Sequence, residues 1–170
     1  MAEKAIVMSW SKCEIKIGTS TGTMSTNLTS IGYVKDRSTT LEASEGDVLE
    51  AIASGGERVA KEALEGGFTI STRVIEPSDE LITLLGIGKT ATGGEIQITT
   101  HLINQPFSIE ITPKNVGARG IRAPYTNISY RPGWSEEEGF YADLEFEVLR
   151  GTAGYWYSHF RSAGLSATAD

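Results

Sequence analysis

Three acidic residues lie at alternate positions near the end of the chain. Asp143, Glu145 and Glu147 follow a period of two, which in a β-strand places all three side chains on one face. Adjacent like charges on a sheet face repel one another unless basic neighbours flank them. Two interpretations stay open: an ordinary solvated sheet face beside basic residues, or a surface that repels polyanions.

The chain offers little else for acid–base or metal chemistry. His101 and His159 are far apart and match no nucleophile or metal-ligand spacing. We expect His101 on the polar face of a strand and His159 within an aromatic cluster. The glutamates at 136–138 lack the alternating ligands of a calcium loop, so we expect a solvated turn there. We therefore predict a protein that is not an enzyme, with no catalytic residue, no cofactor and no metal.

A glycine- and lysine-containing segment at 86–90 has some similarity to a phosphate-binding P-loop. That motif requires a glycine five positions before Gly88, where Thr83 stands, and a strand before the loop. A helical pattern precedes the segment instead. We therefore do not predict a nucleotide site.

Composition and charge restrict the class of protein further. The 170 residues suffice for one domain, and a net charge of −7 argues against wrapping nucleic acid. Cys13 is the only cysteine, so no intramolecular disulfide can form, and no apolar run approaches the length of a membrane span. We expect one domain over 1–170, with an N-terminal arm at 1–11 and a flexible C-terminus at 161–170.

Alternating apolar and polar residues predict that strands dominate the fold. The clearest strands are expected at 13–17, 68–75 and 140–148, and weaker extended segments at 28–34, 38–43 and 121–130. We expect a turn at 131–133, and a hairpin that joins 96–102 to 107–111 through a turn at 104–106.

One short helix is expected between 77 and 86. Pro77 suits a first helical turn, Leu81, Leu84 and Leu85 form an apolar stripe, and Gly86 can cap the exit. The stretch 48–64 is ambiguous, because its alanines and charged residues favour helix whereas the paired glycines at 55–56 and 66–67 favour a hairpin.

The order of these elements resembles that of the tail tube proteins of long-tailed phages. The segments that carry the resemblance are 38–42, 45–47, 55–57, 67–71 and 77–86. The similarity covers roughly 12–150 as a pattern, and no single motif in it is diagnostic.

The resemblance implies a mainly β fold: an antiparallel β-sandwich or half-open barrel with one short flanking helix and a long protruding hairpin at 48–64. It also implies hexameric rings that stack into a hollow tube in the virion, with other tail proteins as partners and DNA passing through without specific binding. Related injection machines, such as type VI secretion tubes and R-type bacteriocins, use similar subunits.

The same resemblance assigns roles to particular residues. The hairpin would contact a neighbouring subunit or ring through Asp47, Val48, Ile52, Glu57, Val59 and Leu64. Asp143, Glu145 and Glu147 become candidates for the acidic wall of the lumen.

A monomeric binding module is the competing hypothesis. In a carbohydrate-binding β-sandwich, exposed aromatic residues stack on sugar rings. The candidates are Trp134, Tyr155, Trp156 and Tyr157. Packing of these aromatics at a domain end or a subunit interface is the simpler alternative.

Overall fold

The computed structural model describes residues 12–63 and 65–165. The chain is mainly β, with 51% strand and 5% helix. The elements are β1 (Cys13–Thr19), β2 (Thr29–Ser30), β3 (Tyr33–Val34), β4 (Thr40–Ala43), β5 (Val48–Ile52), β6 (Arg58–Ala63), β7 (Phe68–Ile75), α1 (Asp79–Leu85), β8 (Gly88–Thr90), β9 (Ile96–Ile98), β10 (Phe107–Pro113), β11 (Arg119–Ser135), β12 (Gly139–Val148) and β13 (Ser158–Arg161).

Nine of these strands form one curled antiparallel sheet. Its order is β2-β1-β10-β11-β12-β7-β3, with β4 also paired to β7 and β13 also paired to β11. The curl brings β3, at one edge of the sheet, back into contact with β1 near the other edge. The predicted half-open barrel with one helix is therefore confirmed. We call this sheet together with α1 the body.

Alternating side chains build the core of the body, as the sequence predicted. In β12, Leu144, Phe146 and Val148 are at most 1% exposed, while the residues between them face outward. Strands β1, β7 and β10 send Ile17, Ile70 and other buried side chains into the same cluster. Burial on this scale is the main stabilising term of the fold.

Helix α1 covers part of this core through Leu81, Ile82 and Leu85. Ser78 caps its first turn by accepting a hydrogen bond from the Leu81 backbone N–H at 3.2 Å, and Gly86 ends it in the left-handed conformation. The expected helix is confirmed, although Pro77 precedes the N-cap and does not lie in the first turn.

The turn expected at 131–133 is wrong. Strand β11 continues to Ser135, and Pro132 and Gly133 lie opposite Ala142 and Tyr141 of β12. Glycine at 133 leaves room for the Tyr141 ring, which lies 2.5 Å from where a Cβ would stand and would have to shift for any other residue. The chain reverses at 136–138 instead.

The expected hairpin between 96–102 and 107–111 is also wrong. Strand β9 pairs with β8 in a small separate sheet, and β10 pairs with β1 on one side and β11 on the other. The deeply buried side chains of β10 require a central position in the sheet, which the short β9 does not provide. His101 consequently lies in an exposed bend between these strands and not on a strand face.

The structure also differs from the prediction in two smaller respects, at the extended segment 28–34 and near the end of the chain. The extended stretch at 28–34 is interrupted between β2 and β3, where Ile31 is fully buried. Arg161 belongs to β13, and Ser162 is buried with its hydroxyl donating to the Pro113 carbonyl at 2.6 Å, so these first positions of the segment expected to be flexible are held on the sheet. The N-terminal arm at 1–11 and residues 166–170 lie outside the described residues.

Candidate assembly interface

A two-stranded hairpin projects from the body between β4 and β7. Strands β5 and β6 form a sheet of their own, and every residue of both strands is exposed. We call residues 45–66 the arm. Over the part of the ambiguous stretch 48–64 that the structure describes, the chain forms a hairpin. The helical alternative is wrong there.

The base of the arm is fixed by Ser44 and Gly67. The Ser44 backbone N–H donates to the Gly67 carbonyl at 2.8 Å, and the Gly67 N–H donates to the Ser44 hydroxyl at 3.0 Å. Arg150 adds an ion pair from the body to Glu65 at 3.1 Å. The arm thus begins at a defined point on the edge of β7.

Both faces of the arm carry apolar side chains. Val48, Glu50 and Ile52 share one face by strand alternation, and Glu50 forms an ion pair there with Arg58 at 3.3 Å. Leu49 projects from the opposite face. Val59 is the extra residue at a register shift between Ala51 and Ile52. The exposed fractions of these apolar residues are 49% for Val48, 54% for Leu49, 63% for Ile52 and 64% for Val59.

Of the residues predicted to form the contact, five are in place on this surface. Asp47 is exposed at the start of β5, and Glu57 is exposed beside the tip, where its carbonyl accepts from the Ala53 N–H at 2.7 Å. Leu64 lies outside the described residues. Leu49 was missed, although its position beside Val48 in an apolar strand was a usable signal.

An isolated two-stranded hairpin is only marginally stable in water. Four large apolar side chains at about half exposure or more on such a hairpin are the signature of a surface that another molecule covers. The arm is therefore the candidate interface.

A second feature of the same kind is an open strand edge. Strand β10 reaches along β11 only as far as Thr126, whereas β12 pairs with β11 from Thr126 to Ser135. Within the described part of the chain, no strand pairs with the other edge of β11 beyond Thr126. An open edge offers backbone groups to a second chain, which proteins limit with proline, and Pro132 lies within this stretch.

The acidic row lies on the outer face of β12, as its period predicted. Asp143 receives two hydrogen bonds from Arg73, at 2.7 Å from Nε and 3.1 Å from Nη2, and Glu145 pairs with Arg131 at 3.7 Å. Glu147 is exposed. The row is therefore partly balanced by arginines on the neighbouring strands, which the sequence pattern of one strand does not reveal.

Arg73 connects this row to the turn at 136–138. Its Nη1 lies 3.0 Å from Glu138 Oε2, its guanidinium stacks 4.3 Å from the centre of the Tyr141 ring, and Lys35 pairs with the other oxygen of Glu138. The hydrogen bond to Asp143 raises the pKa of Arg73 above its usual value. The hydrogen bond from Lys35 and then the nearby positive charges lower the pKa of Glu138. Glu138 is thus held by two cations, unlike the solvated glutamate that we expected.

The aromatic residues of the competing hypothesis do not form one platform. Trp134 is 69% exposed beside the β11–β12 turn. Trp156 and Tyr157 follow the opposite end of β12 and pack edge-on against Phe68, with ring centres 5.8 and 5.0 Å apart. His159 packs on Tyr157 in the same cluster, as expected. Most of this cluster is domain packing, and the length of β12 separates it from Trp134.

Comparisons with known proteins do not assign this chain to a family. No protein-family model matches the chain, and no curated protein matches it significantly. Within residues 12–63 and 65–165, no group of three or more His, Cys, Asp or Glu side chains could hold a metal ion. The same residues contain no helix long and apolar enough to span a membrane.

Proposed function

We propose that this chain is a structural subunit that assembles with copies of itself into stacked rings, forming a hollow tube of the phage-tail type. The observation that carries the proposal is the arm. It is a hairpin of defined geometry whose described apolar side chains, on β5 and β6, are exposed on both faces. A second copy is the simplest partner that explains such a surface in a repeating structure.

The open edge of β11 supports the same proposal. Strand-edge pairing between copies would extend the curled sheet of one subunit into that of the next. The ring would be a hexamer in the virion tail, and other tail proteins would meet its ends, as the resemblance in the sequence implies.

Transport is the second part of the proposal. We assign the outer face of β12, with Asp143, Glu145 and Glu147, to the wall of the lumen. Because arginines balance part of the row, this face would carry a small excess of negative charge, which would not attract the DNA backbone and would let the polymer pass without specific binding. Arg73 and Arg131 hold two of the three carboxylates in place.

The test begins with the purified protein at high concentration. We expect sedimentation velocity and negative-stain microscopy to detect rings or tubes. A variant without the arm is readily designed, because Ser44 and Gly67 already exchange hydrogen bonds and can be joined by an Asn-Gly turn. This variant should keep the far-ultraviolet circular dichroism spectrum of a folded β protein, because the body is unchanged, and it should remain monomeric.

A point variant and a matched control refine the result. Ile52→Asp in the arm should prevent assembly, while Val116→Asp should not, although Val116 is equally apolar and 71% exposed. A wild-type protein that stays monomeric at every concentration would contradict the tube and favour the binding module.

A further inference from the structure

A cleft opens where the two edges of the curled sheet meet. It has a volume of about 320 Å³ and lies between the start of β1, the ends of β10 and β11 that pair with each other, and the segment from β3 to β4. Its apolar wall includes Val34, Leu41, Ile111 and Ile121. We call it the seam cleft.

Within the described residues, β1 is only partly covered on the side of the seam cleft. Strand β2 pairs with β1 at Lys16 and Ile17, and the Ile31 backbone N–H donates to the Ile15 carbonyl at 3.0 Å. Across the seam the Cys13 thiol donates to the Thr39 hydroxyl at 3.8 Å. Burial raises the pKa of the Cys13 thiol. Over the part of the chain that the structure describes, the cleft therefore has an apolar floor beside the start of β1, where no strand pairs on this side.

Positive charge surrounds this cleft. Lys12, Lys35, Arg37 and Arg119 all line it, and Asp36 is the one acidic residue among its described lining. Lys35 also pairs with Glu138, and Arg37, which is 92% exposed, lies 3.7 Å from the Asp36 carboxylate. Lys12 and Arg119 also have interaction partners. In a chain of net charge −7, four basic residues around one apolar cleft are a marked local excess.

The arm has an excess of acidic residues, whereas the lining of the cleft has an excess of basic ones. Between positions 45 and 65 it contains six acidic residues and two basic ones, together with its exposed apolar side chains. Strand rise over five or six residues makes each of its strands roughly 20 Å long. Acidic and apolar groups on the arm complement basic and apolar groups around the seam cleft.

We infer that the seam cleft of one copy receives the arm of the next, an inference that rests on the proposed function. The arm does not fill its own cleft, because a docked arm would be buried and every described residue of β5 and β6 is exposed. Two different surfaces thus meet head to tail. Such a contact propagates around a closed ring or along a filament, whereas a contact between identical surfaces would stop at a dimer.

Disulfide trapping tests the contact directly. In a Cys13→Ser background, Arg37→Cys places a thiol at the exposed rim of the cleft and Ser54→Cys places one at the tip of the arm. Mild oxidation of assembled protein should give a ladder of dimers, trimers and larger species on a non-reducing gel. Chains that carry only one of the two cysteines, when mixed, should stop at dimers.

The matched control replaces Ser54→Cys with Thr92→Cys, at the tip of the β8–β9 hairpin. Absence of a ladder from the 37/54 chain, or an equal ladder from the 37/92 chain, would overturn the cleft as the receptor of the arm. If microscopy still detects rings in that case, the tube itself stands. Wild-type protein that forms no assembly would overturn both.

Discussion

Strands β12 and β5 both contain apolar residues at alternate positions, but these side chains are buried in β12 and exposed in β5. In β12, Leu144 and Phe146 are at most 1% exposed, whereas Val48 and Ile52 on one face of β5 are 49% and 63% exposed. The difference is not hydrophobicity but the presence of a covering layer. Strand β12 has neighbours on both edges and a core behind it, and β5 has only β6 among the described residues. The body is thus stabilised by its own core, whereas the described apolar side chains of the arm stay exposed.

The largest effect expected from this comparison comes from the core. Phe146→Ala should lower the free energy of unfolding by about 3–5 kcal/mol, because it removes a fully buried ring and leaves a cavity. Urea denaturation followed by tryptophan fluorescence measures the change. A loss below 1 kcal/mol would mean that the body is not packed around this side chain.

A smaller effect is expected at the cap of α1. Ser78→Ala removes the acceptor for the Leu81 backbone N–H and should cost about 1 kcal/mol in the free energy of unfolding. Ser78→Asp, which keeps an acceptor at the N-cap, is the matched control and should restore most of the loss. Equal destabilisation by both variants would contradict the capping role.

The stability of the body should depend on pH through the ion pairs of Glu138 on its outer face. Because Lys35 and Arg73 lower the folded-state pKa of Glu138, its contribution is complete above its unfolded pKa of about 4.3 and is lost as the pH falls through the lower, folded value. Glu138→Gln should therefore flatten the fall in thermal midpoint below that pH. Glu137→Gln in the same turn is the matched control, and an identical flattening by both would refute the assignment.

The smallest effect on monomer stability is expected in the arm. Ile52→Ala should change the free energy of unfolding by less than about 0.5 kcal/mol, because the side chain is already exposed. The same variant should raise the protein concentration at which assembly begins, as measured by sedimentation. A loss of 2 kcal/mol or more in the monomer would show that the arm belongs to the cooperative core.

The sequence predicted most strands of the body because their alternation is a local property. Strands β7 and β12 were placed almost to the residue. The partner of each strand is not local: nothing around Phe107 indicates that β10 pairs with β1 at the start of the chain. Arg131 to Gly133 have the composition of a turn, but the strand continues because it pairs with β12 as far as Ser135. That pairing is not visible in the local sequence.

The candidate interface was predictable only in part. Its apolar residues are apparent in the sequence, but their exposure on both faces depends on the absence of a neighbouring strand. The seam cleft could not be predicted, because Arg37, Ile111 and Arg119 come together only when the sheet curls. The pairing of Arg73 with Asp143 likewise joins strands seventy positions apart.

The register of β1 has a consequence for the order in which the chain acquires its structure. Cys13 pairs with Pro113, so the first strand cannot find its main partner until about two thirds of the chain has been synthesised. Pairing across such long sequence separations makes folding slow. Until then the nascent chain exposes its arm together with an unpaired β1, and unpaired strands of this kind are prone to contact other chains before folding is complete.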